Sequence, residues 1–306
     1  MPREESMASR QTRRRFLTAG GLLVAGCAAL RAAEVAGQKP GPHDESPDPK
    51  LGLVTYNLAK DWDIKTILEN CRAARFEGVE LRTTHAHRVE VGLSPAQRSE
   101  VRRQFDDSPV KLMGLGSAFD FHTPDPAQLR RDIEATKEYL VLAHDVGATG
   151  VKVRPNALPD QVPIARTLEQ IGKVLGELGR FAADLGQQVR LEVHGRGTSL
   201  IPNIRTIMDI ASHPQVGVCW NSNQTDLEGE GFDANFDLVK QNIFTVHLRD
   251  LFLEEYPWRC LIQRLNKSEF RGFYLAEIPE SPDPVRVMKY FRALWMSYRL
   301  VLEGPA

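Results

Sequence analysis

VRLEVH at 189–194, QVGVCWNSN at 215–223, IFTVHLRD at 243–250 and FYLAE at 273–277 are four short apolar runs, each ending in side chains able to bind a metal. Runs of this length, bounded by turn residues, read as strands of a buried parallel sheet. Glu192, Asn221, His247 and Glu277 stand at or near their C-terminal ends. In a closed parallel barrel those ends share one mouth, so residues far apart in sequence can surround a single divalent ion.

The same alternation extends toward the N-terminus. LGLVTY at 51–56, GVELR at 78–82, VKLMGLG at 110–116 and GVKVR at 150–154 are strand-like, and an amphipathic helical run follows each. In DIKTILENCRAARF at 63–76, Ile64, Ile67, Leu68 and Cys71 share one helical face. Ser94-Pro95, Asp125-Pro126 and Asp283-Pro284 each set a capping side chain before a proline suited to the first helical turn. The glycines in Glu77-Gly78, Gly147-Ala-Thr-Gly150 and Arg271-Gly272 are expected to end helices in the left-handed conformation. Eight such units predict an α/β fold, a (β/α)8 barrel in a single domain over residues 51–306, close to the usual length of roughly 250 residues. No G-x-G-x-x-G follows the first strand, which removes the strongest argument for a dinucleotide-binding sheet.

The residues ahead of the barrel read differently. Thr12-Arg13-Arg14-Arg15-Phe16-Leu17 precedes an uncharged stretch from Phe16 to Leu30, the pattern of a twin-arginine export signal over 1–30. That stretch is shorter than the roughly 20 residues a membrane span requires. Val24-Ala25-Gly26-Cys27 has the form of a lipobox, which leaves lipidation at Cys27 and ordinary cleavage beyond it both open. Residues 31–50, rich in Gly, Pro, Asp and Lys, predict a flexible linker. The expected location is periplasmic or lipid-anchored, with membrane contact only through the signal or the lipid.

Five Arg and two Glu give residues 1–30 a charge of +3, so the whole-chain −1 leaves −4 on the remainder, which argues against nucleic acid as a partner. Cys71, Cys219 and Cys260 show no C-x-x-C spacing and read as buried free thiols rather than as a disulfide framework or a structural zinc site.

Polar residues at the strand ends form the candidate site. The first four ends supply Tyr56 and Asn57; then Glu80, Arg82, His85 and His87; then His122; then Lys152, Arg154 and Asn156. The last four supply the quartet above, three oxygen donors and one imidazole, a set that suits manganese, cobalt or magnesium. The plainer alternative for each carboxylate is a salt bridge to Lys152, Arg154 or Arg249. His194 follows Glu192 by two residues, on the same side of an extended strand, and is placed to meet a substrate or support a ligand. His144 lies inside a helical run and reads as a core histidine, whereas His85, His87 and His122 fall in loops, where a solvated role is equally open.

At these residues the chain resembles the xylose isomerase-like TIM barrel superfamily, specifically its sugar phosphate isomerase/epimerase family, over about residues 50–300. The resemblance implies a divalent-metal-dependent sugar isomerase or epimerase working on a small carbohydrate through an enediolate. Its ligand pattern of Glu, acid, His and Glu falls on Glu192, Asn221, His247 and Glu277, and Glu192 and Glu277 become the acid/base pair. His122, Lys152, Arg154, Asn156, His194, Asn223 and Arg249 are the expected substrate contacts. One departure stands out: the sixth-strand acid is the uncharged Asn221. Two alternatives use the same barrel: a 3-keto-glycoside lyase on the same metal site, and a carbohydrate-binding protein without catalysis.

Overall fold

A computed structural model describes residues 50–268 and 270–300; the expected signal, Cys27 and the linker as far as residue 49 lie outside the described residues. Strands β1 (Lys50–Val54), β2 (Gly78–Arg82), β3 (Lys111–Asp120), β4 (Gly150–Arg154), β5 (Gln188–Glu192), β6 (Val216–Asn221), β7 (Ile243–Leu248) and β8 (Phe273–Ala276) alternate with eight α-helices. These are α1 (Ile64–Ala74), α2 (Pro95–Asp106), α3 (Pro126–Val146), α4 (Ile164–Asp184), α5 (Ile201–Ala211), α6 (Phe232–Val239), α7 (Trp258–Lys267) and α8 (Pro284–Arg299). Every strand pairs in parallel with its sequence neighbour, and β1 pairs with β8 through Leu51 and Tyr274, so the sheet closes. The expected (β/α)8 barrel is the observed fold.

The expected helix starts are present. Ser94 and Gln97 form a reciprocal capping box on α2, Asp125 accepts from the Ala127 N–H at 2.8 Å, and Asp283 accepts from the Arg286 N–H at 3.3 Å. Gly147 ends α3 at φ 80°, as expected. The other glycine readings are corrected. Helix α1 ends on Arg75 in the left-handed region, and Gly78 opens β2, where a Cβ would sit 2.9 Å from Met113 Cγ and closer still to the Phe273 ring. Gly78 is therefore set by packing inside the barrel, not by a helix end.

Two strand boundaries also move. β1 stops at Val54, and the next residue, Thr55, is buried with its Oγ1 accepting the Arg82 N–H at 2.9 Å. β3 runs on to Asp120, since a register shift after Gly116 lets Asp120 pair with Arg154. His144 is a further correction: it lies on the exposed face of α3, with Nδ1 3.1 Å from Asp145 Oδ1. Cys71 and Cys219 are buried free thiols, and burial pushes Cys71 up to about 12, whereas Cys260 is only half-buried on α7.

Alternation along each strand divides the buried residues into two sets. Leu51, Leu53, Val79, Leu81, Val151, Val153, Val189 and Leu191 point outward and join Phe291, Trp295 and other helix residues in the main core. Val54, Phe273 and Leu275, with Met113, form a separate cluster inside the barrel. Arg190 crosses this floor, donating to Met113 O at 2.7 Å and Gln188 Oε1 at 2.9 Å. Glu80, Lys152, Glu192, Asn221 and His247 occupy later positions of the same inward faces, where apolar filling gives way to buried polar groups.

Candidate metal centre

Glu192 ends β5, Asn221 ends β6, His247 is the penultimate residue of β7, and Glu277 directly follows β8. Sheet register fixes their heights: Asn221 lies opposite His247, and the Glu277 N–H donates to Leu248 O at 2.8 Å. One donor atom from each of Glu192, His247 and Glu277 lies within 4.8 Å of the others. Asn221 is 3% exposed, yet its Oδ1 has no hydrogen-bond partner. His247 is fully buried with Nδ1 3.5 Å from Glu192 Oε1, and neither ring nitrogen makes an aligned hydrogen bond. Metal–ligand bonds of roughly 2.0–2.2 Å place neighbouring donors about 3 Å apart, so this spacing, the unused amide oxygen and the mixed oxygen–imidazole set fit a divalent ion.

Lys152 reaches into the same chamber from β4. Its Nζ lies 2.6 Å from Glu192 Oε2, and both side chains are buried. The salt-bridge alternative is thus realised for Glu192, but through one oxygen, leaving Oε1 turned toward His247. Burial alone would raise the Glu192 pKa; the Lys152 ammonium and His247 outweigh it and hold the carboxyl well below its ordinary value. Glu277 differs, because burial dominates and raises its pKa, with His247 opposing. The two glutamates expected as an acid/base pair sit in unlike environments, one fixed as an anion and the other shifted toward holding a proton.

Around the rim, Arg154 donates to Ala118 O at 3.2 Å while its Nε is buried without a partner, and Arg249 donates to Asn223 Oδ1 at 3.2 Å. Among the described residues neither arginine forms an ion pair, so the salt-bridge reading does not extend to them. His194 is half-buried with Nδ1 unpartnered; burial lowers its pKa, and Arg154, Lys152 and Arg249 act in the same sense against Glu192. His122 Nδ1 lies 2.9 Å from Asp120 Oδ1, and Asn156 Nδ2 donates to Asp120 Oδ2 at 3.1 Å. Asn223 Nδ2 donates to Val193 O at 2.6 Å, tying the β6 end to the β5 end. Asn156 and Asn223 are thus engaged in holding loops, whereas Arg154 and His194 keep free polar atoms. His87, for which a solvated role was one of two open readings, is a buried loop pin between Arg82 O at 2.8 Å and the Val89 N–H at 3.1 Å. His85 contacts Thr55 Oγ1 at 3.1 Å.

The β6 end is braced from outside the barrel. Ser222 Oγ donates to His247 O at 2.9 Å, and Trp220 Nε1 donates to Tyr256 Oη at 3.0 Å. Tyr256 Oη in turn donates to Asp226 Oδ2 at 2.7 Å, which also accepts the Asn223 N–H at 2.9 Å. Asp226 and Tyr256 carried no recognisable motif, because their partnership spans 30 residues. Glu80, one of the polar strand-end residues expected at the mouth, is the acid of the apolar run GVELR. It is fully buried with Oε1 3.3 Å from His247 Nε2, directly behind the donor cluster.

No curated protein matches this sequence. Among solved structures, the 3-keto-D-glucoside 4-epimerase of E. coli aligns with TM-score 0.69 at 14% identity, over 82% of this chain and all of that one. The D-psicose 3-epimerase of Clostridium cellulolyticum aligns with TM-score 0.70 at 12% identity, over 82% of this chain and 99% of that one. The IOLI protein, solved with a bound zinc atom, aligns with TM-score 0.66 at 16% identity, over 81% and 96%. At these identities the likeness is one of fold. Residues 68–294 match the family described as xylose isomerase-like TIM barrel, and with the closed eight-stranded barrel in place the chain belongs to that family.

Proposed function

We propose that this protein is a divalent-metal-dependent sugar isomerase or epimerase that abstracts a proton beside a carbonyl. The observation that carries this reading is the convergence of Glu192, His247 and Glu277 within 4.8 Å, with the unused Asn221 oxygen beside them. A divalent ion held there, manganese, cobalt or magnesium by donor type, would stabilise the negative charge that develops on an enediolate oxygen. Glu277 is the proton acceptor, since Glu192 is engaged by Lys152 whereas Glu277 makes no ion pair among the described residues. The opposite face is served by Glu192 with Lys152, whose ammonium holds a proton 2.6 Å from Glu192 Oε2. Arg154, Arg249 and His194 line the approach and orient substrate hydroxyls or carbonyls. The names of the structural neighbours, a 3-keto-glucoside epimerase and a psicose epimerase, agree with a small sugar as substrate. An export signal over 1–30 favours an unphosphorylated sugar met outside the cytoplasm.

The test is a screen of ketoses and 3-keto-glycosides in deuterated water with added Mn²⁺, Co²⁺ or Mg²⁺, read as deuterium uptake next to the carbonyl. The parent should exchange, and Glu277→Gln should slow exchange by roughly 10²- to 10⁴-fold. Exchange accompanied by release of the aglycone would identify the lyase chemistry instead. The Lys152–Glu192 pair, together with Asn221, favours a second reading in which the barrel binds sugar without turning it over. Sugar binding with no exchange in the metal-loaded protein would establish that reading and end the enzymatic one.

A further inference from the structure

Glu80 is a fully buried carboxylate with no hydrogen bond to either oxygen. Burying an anion costs several kcal/mol unless something nearby uses it. Its direct ion-pair contact is His247, with Oε1 3.3 Å from Nε2. On the other side stands Gly116 of β3, where an added Cβ would lie 2.8 Å from Glu80 Oε1. The absence of a side chain at Gly116 leaves the carboxylate the room it occupies behind the imidazole. The opposite ring nitrogen, Nδ1, faces Glu192 Oε1 at 3.5 Å.

We propose that Glu80 is the positioning residue for His247: its buried carboxylate, 3.3 Å from Nε2, favours the ring proton on that nitrogen, so that Nδ1 is left as the nitrogen presented to a bound ion. The inference rests on the metal-site reading above and adds a residue, a direction and a tautomer to it. An imidazole has one proton in its neutral form, so a carboxylate that captures it at Nε2 decides which nitrogen can ligate and fixes the ring plane. A carboxylate placed behind a ligand histidine also strengthens the ligand's basicity.

Calorimetric titration with Mn²⁺ alone on the parent, Glu80→Gln and Glu80→Leu tests this, with circular dichroism to confirm that each variant is folded. Removal of such a partner typically costs 10- to 100-fold in metal affinity, so Glu80→Leu should fall in that range. The isosteric Glu80→Gln, whose amide oxygen can accept the Nε2–H, should fall between it and the parent and serves if the leucine variant does not fold. Nitrogen NMR of the Zn²⁺-loaded parent should show Nδ1 bound to zinc and Nε2 protonated. Parent-like Mn²⁺ affinity in folded Glu80→Leu and Glu80→Gln, or zinc on Nε2, would overturn the role of Glu80 while leaving the metal site standing. A parent that binds no Mn²⁺ would overturn the metal site and this inference with it.

Discussion

Replacing Asn221 by Asp adds one negative charge to the donor cluster with almost no change in shape. Asn221 is 3% exposed, its Oδ1 is unpartnered, and it lies opposite His247 in the sheet. Two unit charges about 4 Å apart attract by roughly 4 kcal/mol at an effective dielectric near 20, and a divalent ion doubles that. Against this stands the cost of burying the carboxylate, several kcal/mol after relaxation. A net gain on the order of 1.5–3 kcal/mol remains, which is about ten- to a hundredfold tighter binding. Without an ion the sign reverses, because Glu80, Glu192 and Glu277 already share the chamber and Lys152 is already paired with Glu192. A fourth carboxylate there repels the other three. Asn221→Asp should therefore melt below the parent in chelator and above it in saturating Mn²⁺, with calorimetric titration reading the affinity directly. Mn²⁺ affinity within threefold of the parent, with no crossing of the two melting series, would show that Asn221 does not face the ion.

Lys152→Met leaves Glu192 buried without its cation and should lose about 3–5 kcal/mol of unfolding free energy, whereas Lys152→Met/Glu192→Gln should lose less than the single variant. Urea unfolding of the four proteins checks this, and simple additivity would refute the pairing. Burial raises the Asp226 pKa to about 7, so in the folded state it keeps its proton to higher pH than the unfolded chain does. The stabilisation is complete below the unfolded value of roughly 4 and is lost as pH rises through 7, amounting to no more than about 4 kcal/mol. Asp226→Asn should flatten this decline between pH 4 and 8 in urea titrations; an unchanged slope would place the carboxylate outside that titration. Gly116→Ala should weaken Mn²⁺ binding at unchanged secondary structure, since its methyl group would displace the Glu80 carboxylate. Parent-like affinity would mean that Glu80 can shift without consequence.

The barrel was legible before any coordinates because its determinants are local and repeat. Period-two apolar runs, amphipathic helices and proline-bearing caps such as Ser94-Pro95 each report on a few neighbouring residues, and eight repetitions admit few topologies. The convergence of Glu192, His247 and Glu277 was legible for the same reason, since a closed parallel barrel sends every strand end to one mouth. Gly78 and His144 were misread because a glycine before a strand and a histidine in a helix look alike in sequence whatever faces them; the Phe273 ring and open solvent decided those cases. The pairing of Lys152 with Glu192 and the seat of Glu80 behind His247 were decided only by tertiary structure. Such contacts depend on strand register and barrel closure, which bring residues 40 and 167 positions apart to within 2.6 and 3.3 Å. A linear pattern specifies which face a side chain takes; which charge it meets there is set by the sum of all eight strands.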